Sequence, residues 1–222
     1  MYIYIFKNFI PHYKKKYKNE LIEALSNNNH SKFKIVFKKI NIINKLKNEE
    51  INKLFILAYK KNNTEIVKLL IEYSIKNNII LNINEEKDNE SNPILVAASN
   101  NNVDIVKLLI DYANKKYILL NINNTDKSGY YPFYYAIYNN NTEMVKILIN
   151  YADKHFINLN ITYGPNYIYP LNLASINNNI DIVKLLIEYA DMNDIYSLKY
   201  SKLRLTPEIL NIVNEWVNIK NK

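Results

Sequence analysis

The 222-residue chain has no cysteine, only two glycines, a single arginine and no apolar run of membrane-spanning length. Each shortage removes a class of chemistry. Without thiols there are no disulfides and no thiolate metal sites, and the redox compartment is left open. Gly129 and Gly164 stand far apart, so neither common glycine-rich phosphate loop can be assembled. With Arg204 alone, the chain lacks the planar forks that grip phosphates and base edges in pairs. His12, His30 and His155 have no ligand-spaced partners and read as surface or locally packed side chains. No metal and no cofactor is implied. The opening Met1-Tyr2-Ile3-Tyr4-Ile5-Phe6 is apolar but short, and Lys7 interrupts it. It has neither the charged start nor the cleavage site of a signal peptide. A cytoplasmic or nuclear location is the default expectation, and the chain could belong to a longer protein.

What is abundant is Asn, Ile, Lys and Tyr. That bias suggests codons rich in A and T, so no single Asn or Lys carries weight alone. Sequons such as Asn62-Asn63-Thr64 arise by chance at this Asn content. Residues 1–61 hold 14 lysines against 4 glutamates, a net charge of +10; residues 62–222 carry −2. The basic charge therefore sits at the N-terminal end.

A repeat organises the chain, and internal periodicity is the first thing to seek. Val67, Val106, Val145 and Val183 step by 39, 39 and 38 residues, each inside a segment like Val-Lys-Leu-Leu-Ile-Glu-Tyr. Ala58, Ala97, Ala136 and Ala174 step with them, and so do Pro93, Pro132 and Pro170. Each unit reads as two helices. The first is short, from Pro93 to Ser99 for example, and proline suits the first helical turn because its missing N–H has no partner there. Asn clusters follow (100–102, 139–141, 177–179). Asn tolerates the left-handed backbone and caps helices, so one cluster can end one helix and start the next. Glu65, Asp104, Glu143 and Asp181 fall in the second helix's first turn, where they complement its dipole. That helix is apolar over so much of its surface that neighbours should cover both sides.

These segments resemble the ankyrin repeat. Asp126-Lys127-Ser128-Gly129-Tyr130-Tyr131-Pro132 is similar to its opening turn, Pro93-Ile94-Leu95-Val96-Ala97-Ala98 to its first helix and Asp104-Ile105-Val106-Lys107-Leu108-Leu109 to its second. The family unit has about 33 residues. The surplus lies between Tyr112-Ala113 and Asn121-Ile122-Asn123, which places it in a lengthened second helix or exit loop. Family positions for Thr, His and Gly are occupied by other residues, Asn101, Asn140 and Asn178 standing where the family has Gly between helices.

The resemblance implies an all-α solenoid of stacked helix-turn-helix units. Residues 1–16 form a basic N-terminal segment and 17–48 a degenerate capping helix pair. Four repeats occupy 49–191, and 192–222 form a C-terminal capping region opened by Thr206-Pro207. It also implies a non-catalytic, monomeric scaffold for another protein, bound through turn tips and the exposed side of the first helices. The tips map to Glu90, Ser91, Lys127, Ser128, Tyr130, Asn166 and Ile168. The first-helix positions map to Lys60, Lys61, Ser99, Asn100, Tyr138, Asn139, Ile176 and Asn177. Tyr130, Tyr134 and Tyr138 read either as an aromatic contact centre, since tyrosine is enriched at binding hot spots, or as rings packed between units. Tyr131 and Tyr135 are expected to pack between units.

Two other classes fit less well. Lys14-Lys15-Lys16-Tyr17-Lys18 with Lys32, Lys34, Lys38 and Lys39 could attract nucleic acid or an acidic membrane surface, weakly and with strong salt dependence. For catalysis, the acids sit where capping explains them, and no spacing pairs a nucleophile with a histidine.

Overall fold

The computed structural model describes residues 15–43, 46–84, 92–165, 168–193 and 205–220. Every regular element among them is a helix. The helices are α1 (15–26), α2 (His30–Ile43), α3 (Asn48–Lys60), α4 (Thr64–Lys76), α5 (Pro93–Ser99), α6 (Val103–Lys116), α7 (Pro132–Tyr138), α8 (Thr142–Lys154), α9 (Pro170–Ile176), α10 (Ile180–Met192) and α11 (Pro207–Lys220). The chain divides into two compact units, 1–83 and 84–222. The first holds α1 to α4. The second holds α5 to α11.

The short first helices begin on Pro93, Pro132 and Pro170, as the proline spacing predicts. Seven residues cannot sustain a helix in water, so packing must. Ala97, Ala136 and Ala174 are buried, and within the second unit α5 packs on α7 and α7 on α9. Alanine's small volume permits that approach.

Each first helix ends the same way. Asn101 is left-handed at φ 56, Asn102 donates its N–H to Ala97 O (2.9 Å), and the Asn102 side chain accepts from Ile105 N–H (2.9 Å). Asn140–Asn141 and Asn178–Asn179 repeat the device in the second unit, and Asn28–Asn29 and Asn62–Asn63 in the first. One Asn reverses the chain and the next caps the following helix.

The second helices run through Lys116 and Lys154, beyond Tyr112-Ala113 and Tyr151-Ala152. The surplus over the family length is therefore shared between two or three further helical residues and the exit segment. Ile79, Leu81 and Ile83 are buried in the first unit; Leu120, Ile122, Leu159 and Ile161 are buried in the second.

In the first unit, Leu21, Ala24 and Leu25 of α1 and Phe33, Val36, Phe37 and Ile40 of α2 are buried. Phe37 meets Tyr73 of α4 edge-on at 5.0 Å, and the Tyr73 hydroxyl donates to Asn41 Oδ1 (2.8 Å). In the second unit α11 packs on α10. Thr206 Oγ1 accepts from Ile209 N–H (3.4 Å), the anticipated cap, and Trp216 Nε1 donates to Asp191 (2.8 Å).

Candidate partner-binding face

The last residue of each first helix is Lys60, Ser99, Tyr138 or Ile176, and all four are exposed. Tyr138 is 60% exposed and Ile176 57%. The exposure follows from helix geometry. Seven residues make two turns, so the buried stripe through Ile94, Leu95, Ala97 and Ala98 leaves the final residue on the outer side. Because α5, α7 and α9 pack in succession, Ser99, Tyr138 and Ile176 form one row in the second unit. Lys60 and Lys61 hold the corresponding place in the first unit and are exposed.

The neighbouring Asn positions divide. Asn100 is exposed. Asn139 and Asn177 are half-buried, and their side-chain N–H groups donate to Ala98 O (3.0 Å) and Ile137 O (2.7 Å) of the preceding repeat. They hold the stack together, and only their remaining surface belongs to a contact face.

The turn before α7 is organised by Asp126. Its Oδ1 accepts from Ser128 N–H (2.8 Å) and Tyr130 N–H (3.0 Å), while its own N–H donates to Tyr130 O (2.8 Å). Gly129 supplies the positive φ of 83° that this closure needs. Asp126 Oδ2 accepts from the Tyr135 hydroxyl (2.6 Å). Burial, and then this carboxylate, push the Tyr135 hydroxyl well above the usual tyrosine range. Lys127 and Ser128 are exposed at the tip, and Tyr130 is half-buried, its ring 5.3 Å from that of Tyr134 and 5.4 Å from that of Tyr135.

Of the two readings of Tyr134 the structure excludes its place in the aromatic contact centre: it is 2% exposed. The loop around Gly164 lies against it. A Cβ at Gly164 would stand 1.7 Å from Ile168 O and 3.0 Å from Tyr134 Cε2, so only glycine lets the loop approach this closely. Tyr134 is thus part of the core, and Tyr138 is the exposed tyrosine of α7. Tyr131 is buried as anticipated, and its hydroxyl lies within hydrogen-bonding distance of Asn160 O (2.7 Å) and Tyr163 O (2.6 Å). Burial raises its pKa far above the ordinary value.

Ile168 is half-buried beside this loop. Glu90, Ser91 and Asn166 fall outside the described residues, as does Lys14. Of the basic N-terminal group, Lys18 pairs with Glu50, Lys32 with Glu23 (3.0 Å) and Lys34 with Glu65 (3.3 Å). Local acids therefore share much of that charge.

Two ladders escaped the sequence reading. In the second unit Asn141 Nδ2 donates to Asn101 Oδ1 (2.6 Å) and Asn179 Nδ2 to Asn140 Oδ1 (2.6 Å), so the capping Asn of one repeat holds the reversing Asn of the one before. The first unit has the same pair in Asn63 and Asn28 (3.4 Å). Tyr151 and Tyr189 accept at their hydroxyls from the buried N–H groups of Leu120 and Leu159, each at 2.8 Å. Burial raises the pKa of both tyrosines. The repeat spacing was the available signal, since the partners in each ladder of the second unit step by 38 or 39 residues.

Among the described residues no cluster of His, Asp and Glu is arranged to hold a metal ion, and no helix is long and apolar enough to cross a membrane. Comparison with protein families gives a match to a model of ankyrin repeats, in three overlapping copies over residues 16–118, 55–158 and 116–196. No curated protein matches the chain.

Proposed function

Because the chain belongs to the ankyrin-repeat family, whose members are generally protein-interaction modules, we propose that it is a non-catalytic scaffold that binds another protein through the ends of its first helices and the adjoining turn tips. One observation carries this reading. A single structural position, kept exposed in every repeat, holds Lys60, Ser99, Tyr138 and Ile176 in turn, while the buried Ala and Val positions around it do not change. An exposed position on a constant frame can be fitted to a partner in each repeat without disturbing the packing beneath it.

In the second unit the contact centre is Tyr138 and Ile176, with Tyr130 at its edge and Ser99, Asn100, Lys127 and Ser128 as its polar surround. A large ring with few rotors beside an aliphatic side chain suits the buried centre of an interface, and polar residues around it exclude water. Asn139, Asn177 and Ile168 contribute their exposed portions.

Affinity capture from the native cell with the full chain, compared with a Tyr138→Ser/Ile176→Ser variant, tests the reading. Both positions are exposed, so the variant should unfold at the same denaturant concentration as the parent. The expected result is a protein recovered by the parent and lost by the variant. Equal recovery by a variant of equal stability would remove this row as the binding centre.

A further inference from the structure

The second helices end on an unusual device. Ile118 N–H donates to Ala113 O and Tyr117 N–H to Asn114 O, with Tyr117 left-handed at φ 55. One repeat later Ile157 N–H donates to Ala152 O, and Phe156 is left-handed at φ 54. This closure calls for Gly or Asn. The chain uses Asn78 at the corresponding place in the first unit, yet here it uses two rings. Both are bare, Tyr117 at 97% and Phe156 at 96% exposure. A bulky residue at positive φ costs stability, and a fully solvated ring returns none of it. Strain of this kind, observed first, points to a role.

The rings border two clefts within the second unit. The first, about 390 Å³, lies between Tyr117 and Leu119 on one side and Lys154 and His155 on the other. The second, about 320 Å³, lies between Phe156 and Met192 and includes Asp153. Leu119 and Met192 are also largely exposed. The ends differ in charge. Exposed Lys154 lines the first cleft and exposed Asp153 the second. Phe156 lies between the two. His155 Nε2 is buried without a hydrogen-bond partner on the basic side.

We propose that this ridge is a self-association surface, on which a second copy of the chain docks about a two-fold axis near Phe156. A two-fold axis sets each end of a patch against the opposite end of its copy. The basic cleft of one copy then faces the acidic cleft of the other, twice, with the rings covered between them. Asp153 of the second copy comes to the side of His155. A basic-apolar-acidic strip is complementary to itself when turned end for end, whereas an anionic membrane would be repelled by its Asp153 end. The patch is small, so the dimer is weak, concentration-dependent and favoured by low salt.

Sedimentation of the full chain across a wide concentration range tests this. The parent should self-associate, and Tyr117→Asn/Phe156→Asn, which keeps residues suited to the left-handed backbone, should weaken association at least ten-fold. Lys154→Glu makes both clefts acidic and should be monomeric. Asp153→Lys makes the second cleft basic and should be monomeric too. Mixed together, these two charge variants should form a heterodimer. A parent that stays monomeric throughout overturns the proposal. So does association that the ring variant leaves intact, or a mixture that does not pair. Binding to vesicles of anionic phospholipid that the ring variant abolishes, without self-association, assigns the ridge to a membrane surface and also overturns it.

Discussion

Apart from the Gly129 turn, the described residues bend into the left-handed backbone region at two kinds of place, and the protein treats them differently. Between the two helices of a repeat the residue is always Asn: Asn28, Asn62, Asn101, Asn140 and Asn178. After the second helix it is Asn78 in the first unit but Tyr117 and Phe156 in the second. The inner bend is built for stability. Its Asn pays little for positive φ, and in the second unit the side chains of Asn101 and Asn140 accept from the capping Asn of the following repeat. The outer bend spends stability, because its rings are strained and touch water on nearly every side. Similar backbone geometry thus serves cohesion at one end of the helix pair and display at the other.

The largest effect should come from breaking the inner bend. Asn140→Ala/Asn141→Ala removes a left-handed Asn, at about 1–2 kcal/mol, and an N-cap, at about 1 kcal/mol. It also cuts the side-chain bonds to Asn101 and Asn179. A loss of about 3 kcal/mol is expected in urea unfolding followed by helical circular dichroism. The same substitution at the outer bend, Phe156→Ala, keeps the unfavourable φ and removes only solvated atoms, so it should change stability by less than about 0.5 kcal/mol. Equal losses at the two bends would dissolve the comparison.

Tyr151→Phe comes next. It deletes the hydroxyl that accepts from Leu120 N–H and leaves a buried donor unpaired, which costs about 1–3 kcal/mol. Amide hydrogen exchange should locate the damage. Leu120 N–H should lose protection while the α7–α8 bend keeps its own. Should both change together, the exit segment and the inner bend are one cooperative element rather than two.

A pair of substitutions at Asn101 separates backbone from side chain. Asn101→Ala should cost about 1–2 kcal/mol, since alanine resists positive φ. Asn101→Gly should cost less, because glycine adopts that conformation freely and only the bond from Asn141 is lost. The remaining loss in the glycine variant measures the ladder directly. If glycine were no better than alanine, the asparagines would be present for their side chains alone.

The inner bends were legible in the sequence and the outer ones were not, for a physical reason. Pro93, Pro132 and Pro170 announce helix starts through a property of proline itself, and the Asn clusters announce a reversal and a cap through properties of Asn. Such signals are local. Tyr117 and Phe156 follow an amphipathic helix, where an aromatic residue ordinarily reads as core. Nothing local says that these rings face water. The buried state of Tyr134 was hidden for a different reason. It depends on Gly164, thirty residues away, closing a loop against the ring, and no periodicity reports such an encounter. On the candidate face, Tyr138 and Ile176 were legible because the end of a two-turn helix is exposed by geometry alone.

The smallest effect is also the one that tests the display side of the comparison. Tyr117→Asn and Phe156→Asn replace a strained ring by the residue already used at Asn78. Each should stabilise the monomer by about 0.5–1 kcal/mol, since the backbone strain falls and no packing is given up at sites 97% and 96% exposed. Urea unfolding at protein concentrations below any self-association gives the measurement. A gain means that the outer bend is held in a less stable form than the same chain shows to be available. A loss would mean that the rings pack in solution, and the contrast between a cohesive inner bend and a displayed outer one would then fail at its second term.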